Sequence, residues 1–177
     1  MRNQIISNPR DTYFPDTQAD MNPQFPEVTK YLKNCRLFNE LTGKQIEKLA
    51  GVFTVHDYEA GDFIFKQGEL GDRIHIIARG LVNLERHIKM GDREASVSVS
   101  FLGPCRILGC WACLLGKSRH HTESAVCHKQ TRTITATGSD LRVLFETDHP
   151  ITEKLLTELC FMLGDKVHGI YGAMESL

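Results

Sequence analysis

The chain has 177 residues, of which 41% are hydrophobic and 24% charged. That composition is ordinary for a globular protein, at a length suited to one domain, or one with an appendage, that buries a core without disulfides. A formal net charge of -1 argues against gripping nucleic acid by bulk charge, since such domains are usually basic. The N-terminus lacks the pattern of a secretory signal, and the longest apolar run, Ile107 to Gly116, is too short to span a bilayer. A cytoplasmic setting is therefore expected, where six cysteines read as thiols or ligands before disulfides.

Residues 1–26 hold Pro9, Pro15, Pro23 and Pro26 among polar neighbours, with no apolar period. They read as an extended N-terminal arm that can lie along a partner. Over 27–53 the pattern turns helical, with Val28, Leu32 and Leu37, then Ile46, Leu49 and Ala50. Thr42 with Gln45 three residues on predicts a capping box, and so two short helices. From 54 to 147 the period switches. Phe53, Val55, Tyr58, Phe63 and Phe65 alternate with polar residues, and Gly61, Gly68, Gly71, Gly80 and Gly91 punctuate the chain. Strands are predicted at Asp62–Lys66, Arg73–Ala78, Leu81–Ile88 and Val97–Phe101, with a hairpin turn at Met90-Gly91-Asp92. A later strand pair is expected at Gln130–Ala136 and Leu141–Glu146, broken by Thr137-Gly138-Ser139-Asp140. Over 148–177, Leu155, Leu159, Met162, Val167, Ile170, Met174 and Leu177 form a helical stripe suited to packing or self-association.

The run Tyr58-Glu59-Ala60-Gly61-Asp62-Phe63-Ile64-Phe65-Lys66-Gln67-Gly68-Glu69-Leu70-Gly71-Asp72-Arg73 resembles the first half of cyclic nucleotide-binding domains. So does Ile74-His75-Ile76-Ile77-Ala78-Arg79-Gly80-Leu81-Val82, and Leu37-Phe38-Asn39-Glu40-Leu41-Thr42 matches the lead-in turn. The family includes catabolite-activator and fumarate-nitrate-type regulators and the regulatory subunits of cyclic-nucleotide-dependent kinases. The resemblance implies a mainly-β jelly roll (a cupin-like β-roll) with N-terminal helices and a C-terminal helix. It specifies fold far better than ligand.

Nucleotide-binding members carry a phosphate cassette: Gly-Glu, a small helix, then Arg-Ser or Arg-Thr. Backbone N–H groups and the Arg hold the phosphate, and the Glu holds the ribose. Here Gly109 matches the glycine and Cys110 replaces the Glu, followed by Trp111, Ala112 and Cys113. A thiol cannot replace a carboxylate that accepts two hydrogen bonds. The segment from Gly116 to His128 is longer than usual, and counting back from Leu141-Arg142-Val143-Leu144 puts the Arg-Ser position near Lys129 and Gln130. Lys lacks the bidentate fork of Arg. The pattern argues against cyclic AMP or cyclic GMP held in the ordinary way. DNA-binding members continue from the C-terminal helix into a helix-turn-helix domain, and Leu177 stands where that helix would end, so DNA binding by this chain alone is not expected.

Cys105, Cys110, Cys113 and Cys127 cluster around the altered cassette. The spacing Cys105-x4-Cys110-x2-Cys113 with a later Cys127 fits a [2Fe–2S] site. Zinc held by Cys110, Cys113, Cys127 and His120 or His121 is a second option. Haem is a third, and a redox dithiol at Cys110-Trp111-Ala112-Cys113 a fourth. Cys35 and Cys160, on predicted helices, read as packing residues, and His56, His75, His87 and His168 as surface or packing residues. No catalytic constellation is present, so no enzyme is expected. Three readings follow: a non-enzymatic regulatory, ligand-sensing module acting through a protein partner; a metal or iron–sulfur redox module; or a ligand-free accessory subunit docking through the arm and the C-terminal helix, with a homodimer also open.

Overall fold

The computed structural model describes residues 24–91, 93–109, 114 and 116–175; most of the predicted arm lies outside them. Helix α1 (Phe25–Lys33) begins inside the stretch read as arm. The reason is local: Pro26 sits in its first turn, where a fixed φ and a missing N–H suit a helix start. Val28 and Leu32 form its buried side. A 3-10 turn (Arg36–Phe38) then buries Leu37 and Phe38. Helix α2 (Gly43–Ala50) carries the predicted capping box. The Thr42 N–H donates to Gln45 Oε1 at 2.9 Å, and the Gln45 N–H donates to Thr42 Oγ1 at 3.4 Å.

The roll comprises β1 (Thr54–Tyr58), β2 (Phe63–Phe65), β3 (Leu70–Gly71), β4 (Arg73–Arg79), β5 (Val82–Met90), β6 (Arg93–Leu102), β7 (Ile107–Gly109), β8 (Arg119–His120), β9 (Ser124–Cys127) and β10 (Thr131–Thr137). One sheet has the order β1-β10-β4-β7, a second β2-β9-β5-β6, and β3 pairs β8. This is the mainly-β jelly roll with flanking helices that the sequence predicted. Gly91 turns β5 into β6, with Met90 opposite Arg93. At Gly80 the chain has φ +107°, and a Cβ would collide with Thr131 Oγ1 and backbone, so no larger residue fits.

Strands β4 and β10 lie inside the first sheet and are buried on both faces. Ile74, Ile76, Ile134 and Ala136 join a core with Val28, Leu32, Phe38, Leu49 and the C-terminal helices. Ile77 belongs instead to a second cluster inside the roll, with Val82, Leu108 and Ala125.

The predicted strand Leu141–Glu146 is corrected to helix α3 (Gly138–Thr147). Thr137, read as part of a turn, is an N-cap whose Oγ1 accepts from the Asp140 N–H at 3.1 Å. Leu141, Leu144 and Phe145 then share one packed face at helical spacing, while Val143 stays exposed. Helix α4 (His149–Glu175) follows directly. Asp148 Oδ1 accepts from the Ile151 N–H at 3.2 Å, and Lys48 Nζ reaches Asp148 Oδ2 at 2.9 Å, tying α2 to the start of α4. Ile151 and Leu155 are buried, Leu159 packs on the same core, and Leu156, Phe161 and Leu163 face solvent. Leu177, the end of the predicted stripe, lies outside the described residues. Among the described residues no helix is long and apolar enough to cross a membrane.

Candidate effector site

Strand β7 delivers the chain to Gly109, which pairs with Ile74 of β4. Gly109 has φ +111°, and a Cβ there would strike the Arg73 carbonyl oxygen. A side chain is excluded at the cassette entrance by backbone contact as well as by conformation. Cys110, Trp111, Ala112 and Cys113 lie outside the described residues. The chain is described again at Leu114, which is buried among Phe38, Ile74, Leu141, Phe145 and Leu155. The far end of the cassette is therefore anchored between the roll and the helices on both sides of it.

The segment read as a long link contains β8 and β9. β8 pairs Arg119 with Gly71 and His120 with Leu70. The Gly68 N–H donates to the His121 carbonyl, and the His121 N–H to the Glu69 carbonyl, both at 2.8 Å. β9 opens on Ser124, whose Oγ accepts from the Gln67 N–H at 2.9 Å. At this point of the chain Ser124 offers a hydroxyl and Glu123 a carboxylate. Lys129 and Gln130 lie beyond β9, in the turn to β10. Gln130 Nε2 donates to Glu59 Oε1 at 3.2 Å.

Inside the roll the two sheets offer unlike faces. The first contributes buried Thr131, Thr133, Thr135 and His75. His75 Nδ1 lies 3.0 Å from Thr135 Oγ1, which lies 3.2 Å from Thr133 Oγ1. Burial raises the Tyr58 pKa. Burial pushes the His75 imidazole down to about 3, so it is neutral at physiological pH. The second sheet contributes Ile64, Phe65, Val82, Leu84 and Ala125. Phe65 joins the two faces: its ring stacks on His121 at 3.9 Å and 12°, and lies 6.0 Å from His75. Burial lowers the His121 pKa, opposed in part by Glu69 and Asp72. A line of hydroxyls beside a stacked aromatic pair can hydrogen-bond the edge of a planar ligand and stack on its face.

The cysteines divide differently from the predicted ligand set. Cys105 is exposed in the turn from β6 to β7, and its N–H donates to the Ile77 carbonyl at 2.8 Å. Cys127 closes β9. It is buried, its N–H donates to the Asp62 carbonyl at 2.8 Å, and burial raises its thiol pKa. Among the described residues no three His, Cys, Asp or Glu side chains converge where a metal ion could sit. Cys35 is buried, as predicted, but just before the 3-10 turn rather than on a helix, and burial pushes its thiol up to about 12. Cys160, read as a packing residue, is exposed on α4.

Comparison with known proteins agrees with this geometry. The cGMP-dependent protein kinase egl-4 of Caenorhabditis briggsae is 33% identical over 69 residues, 39% of this chain and 9% of the kinase. The cGMP-dependent protein kinase of Plasmodium berghei is 38% identical over 74 residues, 42% of this chain and 9% of the kinase. The chain thus spans about a tenth of the length of these curated relatives. A cyclic nucleotide-binding domain from Methylobacillus flagellatus superposes with a TM-score of 0.70 at 17% identity, over 84% of this chain and 81% of that one. A cyclic nucleotide-binding-like protein from Brucella abortus gives 0.56 at 27% identity, over 68% and 98%. The family pattern itself matches residues 55–148, from β1 through α3, and the chain belongs to the cyclic nucleotide-binding domain family.

Proposed function

We propose that this chain is a non-catalytic regulatory module in which an effector bound at the cassette end of the roll shifts the C-terminal helices and so acts on a protein partner. The observation that supports this reading is Leu114. It is the cassette residue buried at once against β4, the 3-10 turn, α3 and α4. Movement of the cassette therefore changes the packing of α3 and α4 directly. The likeness to cGMP-dependent protein kinases is consistent with a regulatory role beside a partner. The exposed Leu156, Phe161 and Leu163 give α4 an apolar surface for that partner or for a second copy. A cytoplasmic setting suits its free thiols.

The effector is not a cyclic nucleotide gripped in the usual way. Cys110 stands for the ribose-binding carboxylate and Glu123 for the phosphate-binding guanidinium. Losing two charge-assisted contacts costs about 3–6 kcal/mol, roughly 10²- to 10⁴-fold in affinity, and Glu123 adds repulsion toward a phosphate. Calorimetric titration with cyclic AMP and cyclic GMP tests this. No saturable binding is expected up to about 1 mM ligand, with binding at least about tenfold tighter in Cys110→Glu/Glu123→Arg. Low-micromolar binding by the native chain would overturn the reading of the cassette.

A further inference from the structure

Helix α4 has two apolar stripes, and the chain's own core covers one of them. Ile151, Leu155 and Leu159 recur every four residues and pack on that core. The neighbouring side is tied to the body as well: Lys154 Nζ donates to the Glu40 carbonyl at 2.6 Å, and Arg36 lies 3.9 Å from Glu158. The second stripe is open. Leu156 is 42% exposed, Leu163 55%, and Cys160 is exposed between them. With about 3.6 residues per turn, it lies roughly 100° around the axis from Leu155. Its spacing is four, then three, and the sequence continues that alternation through Val167, Ile170 and Met174. α4 runs on to Glu175, about 24 Å past Leu159, and among the described residues none beyond Leu159 joins the core. A helical end of that length, with Gly164, Gly169 and Gly172 in it, is marginal in water unless an apolar side is covered.

We propose that a second copy of this chain covers the open stripe, with the two α4 helices parallel and in register about a two-fold axis. The proposal rests on the reading of α4 as the docking helix of the module, and commits it to one occupant. Spacings of four and three average 3.5 residues, the repeat that keeps a single seam against an identical helix. Leu156, Leu163 and Ile170 take one set of seam positions, and Cys160, Val167 and Met174 the other. Leucine in the first set with a β-branched valine in the second favours a parallel pair. None of these six positions is charged. The positions flanking them are Thr157, Leu159 and Gly164, then Lys166, Tyr171 and Ala173. A parallel two-fold sets the two Lys166 positions on opposite sides of the seam, so no like charges meet. Each body packs beside its own helix, away from the seam, so the same axis puts the two rolls on opposite sides of the pair. The axis passes between the Cys160 residues of the two copies, which face each other.

The test uses the full chain, first under reducing conditions and without any effector. Light scattering after gel filtration should give twice the 20.0 kDa mass of the chain. Leu156→Lys/Leu163→Lys, which changes two exposed side chains, should halve that mass while the β-rich circular dichroism spectrum stays. A second measurement does not depend on how that variant folds. Copper phenanthroline in air, which takes two electrons from each pair of thiols, should join Cys160 to Cys160 in the native chain. The product is a band of doubled mass on a non-reducing gel and a Cys160–Cys160 peptide in mass spectrometry. It should vanish in Cys160→Ser and persist in Cys105→Ser. A native chain that is monomeric, a folded double variant that stays dimeric, or a dimer that yields no Cys160–Cys160 link would overturn the proposal. A monomer would remove the second copy and leave the regulatory reading standing, whereas the cyclic nucleotide titration tests the cassette whatever the mass.

Discussion

Strand β10 has two faces that live in different chemical worlds. Ile134 and Ala136 turn toward the helices, where Val28, Leu32, Leu49, Leu141 and Leu155 close an apolar core. Thr131, Thr133 and Thr135 turn into the roll, beside His75. Burying an aliphatic side chain contributes about 1.5–3 kcal/mol, whereas a satisfied hydrogen bond nets about 0.5–1.5 kcal/mol. The helix-side face therefore carries most of the stability. The roll-side face gives up stability and retains polar groups that a ligand can use. The two faces of the same strands are thus held by different forces, apolar burial on the helix side and hydrogen bonding inside the roll.

The comparison breaks most visibly under truncation. Ile134→Ala removes a fully buried side chain from the helix-side core and should cost about 2–5 kcal/mol in chemical denaturation. Thr133→Ala, one residue away on the other face, should cost about 0.5–1.5 kcal/mol. Equal losses would show that the division does not exist.

A second effect separates the faces by pH. His75 is held down to about 3 in the fold, against an ordinary 6.5. Below pH 6.5 the unfolded chain takes up a proton that the folded chain refuses. The stability that the neutral imidazole secures is complete above that pH and falls as pH drops toward 3. The slope approaches about 1.4 kcal/mol per pH unit, giving a loss of roughly 2 kcal/mol by about pH 5. Urea midpoints measured across this range should flatten in His75→Gln. An unchanged slope in that variant would mean that the roll interior is open to solvent and protons.

The smallest effect lies at the surface of the helical side. Lys48 holds the Asp148 carboxyl below its ordinary 3.8. That contribution is present above pH 3.8 and disappears as pH falls through the lower folded value. Lys48→Ala should cost about 0.2–1 kcal/mol near neutrality and nothing further in acid, read from thermal melts at both pH values. A loss that persists in strong acid would point to packing of the lysine stem in place of the ion pair.

Much of this architecture was legible in the sequence because it rests on local periods. Alternation from Val55 onward and the glycines at turns foretold the roll, and Thr42 with Gln45 foretold the cap of α2. The region 138–147 was misread because Thr137-Gly138-Ser139-Asp140 serves a turn or a helix start equally well; contacts of Leu141, Leu144 and Phe145 decide between them.

The sequence by itself determined the fold family, since strand period and turn glycines are properties of neighbouring residues. Only the tertiary structure decided which side of each strand is apolar, that Leu114 is buried beside α3 and α4, and that His121 stacks on Phe65. These are contacts between segments distant along the chain, set by sheet register and by how helices lie on the sheet. No local spacing of residues encodes them.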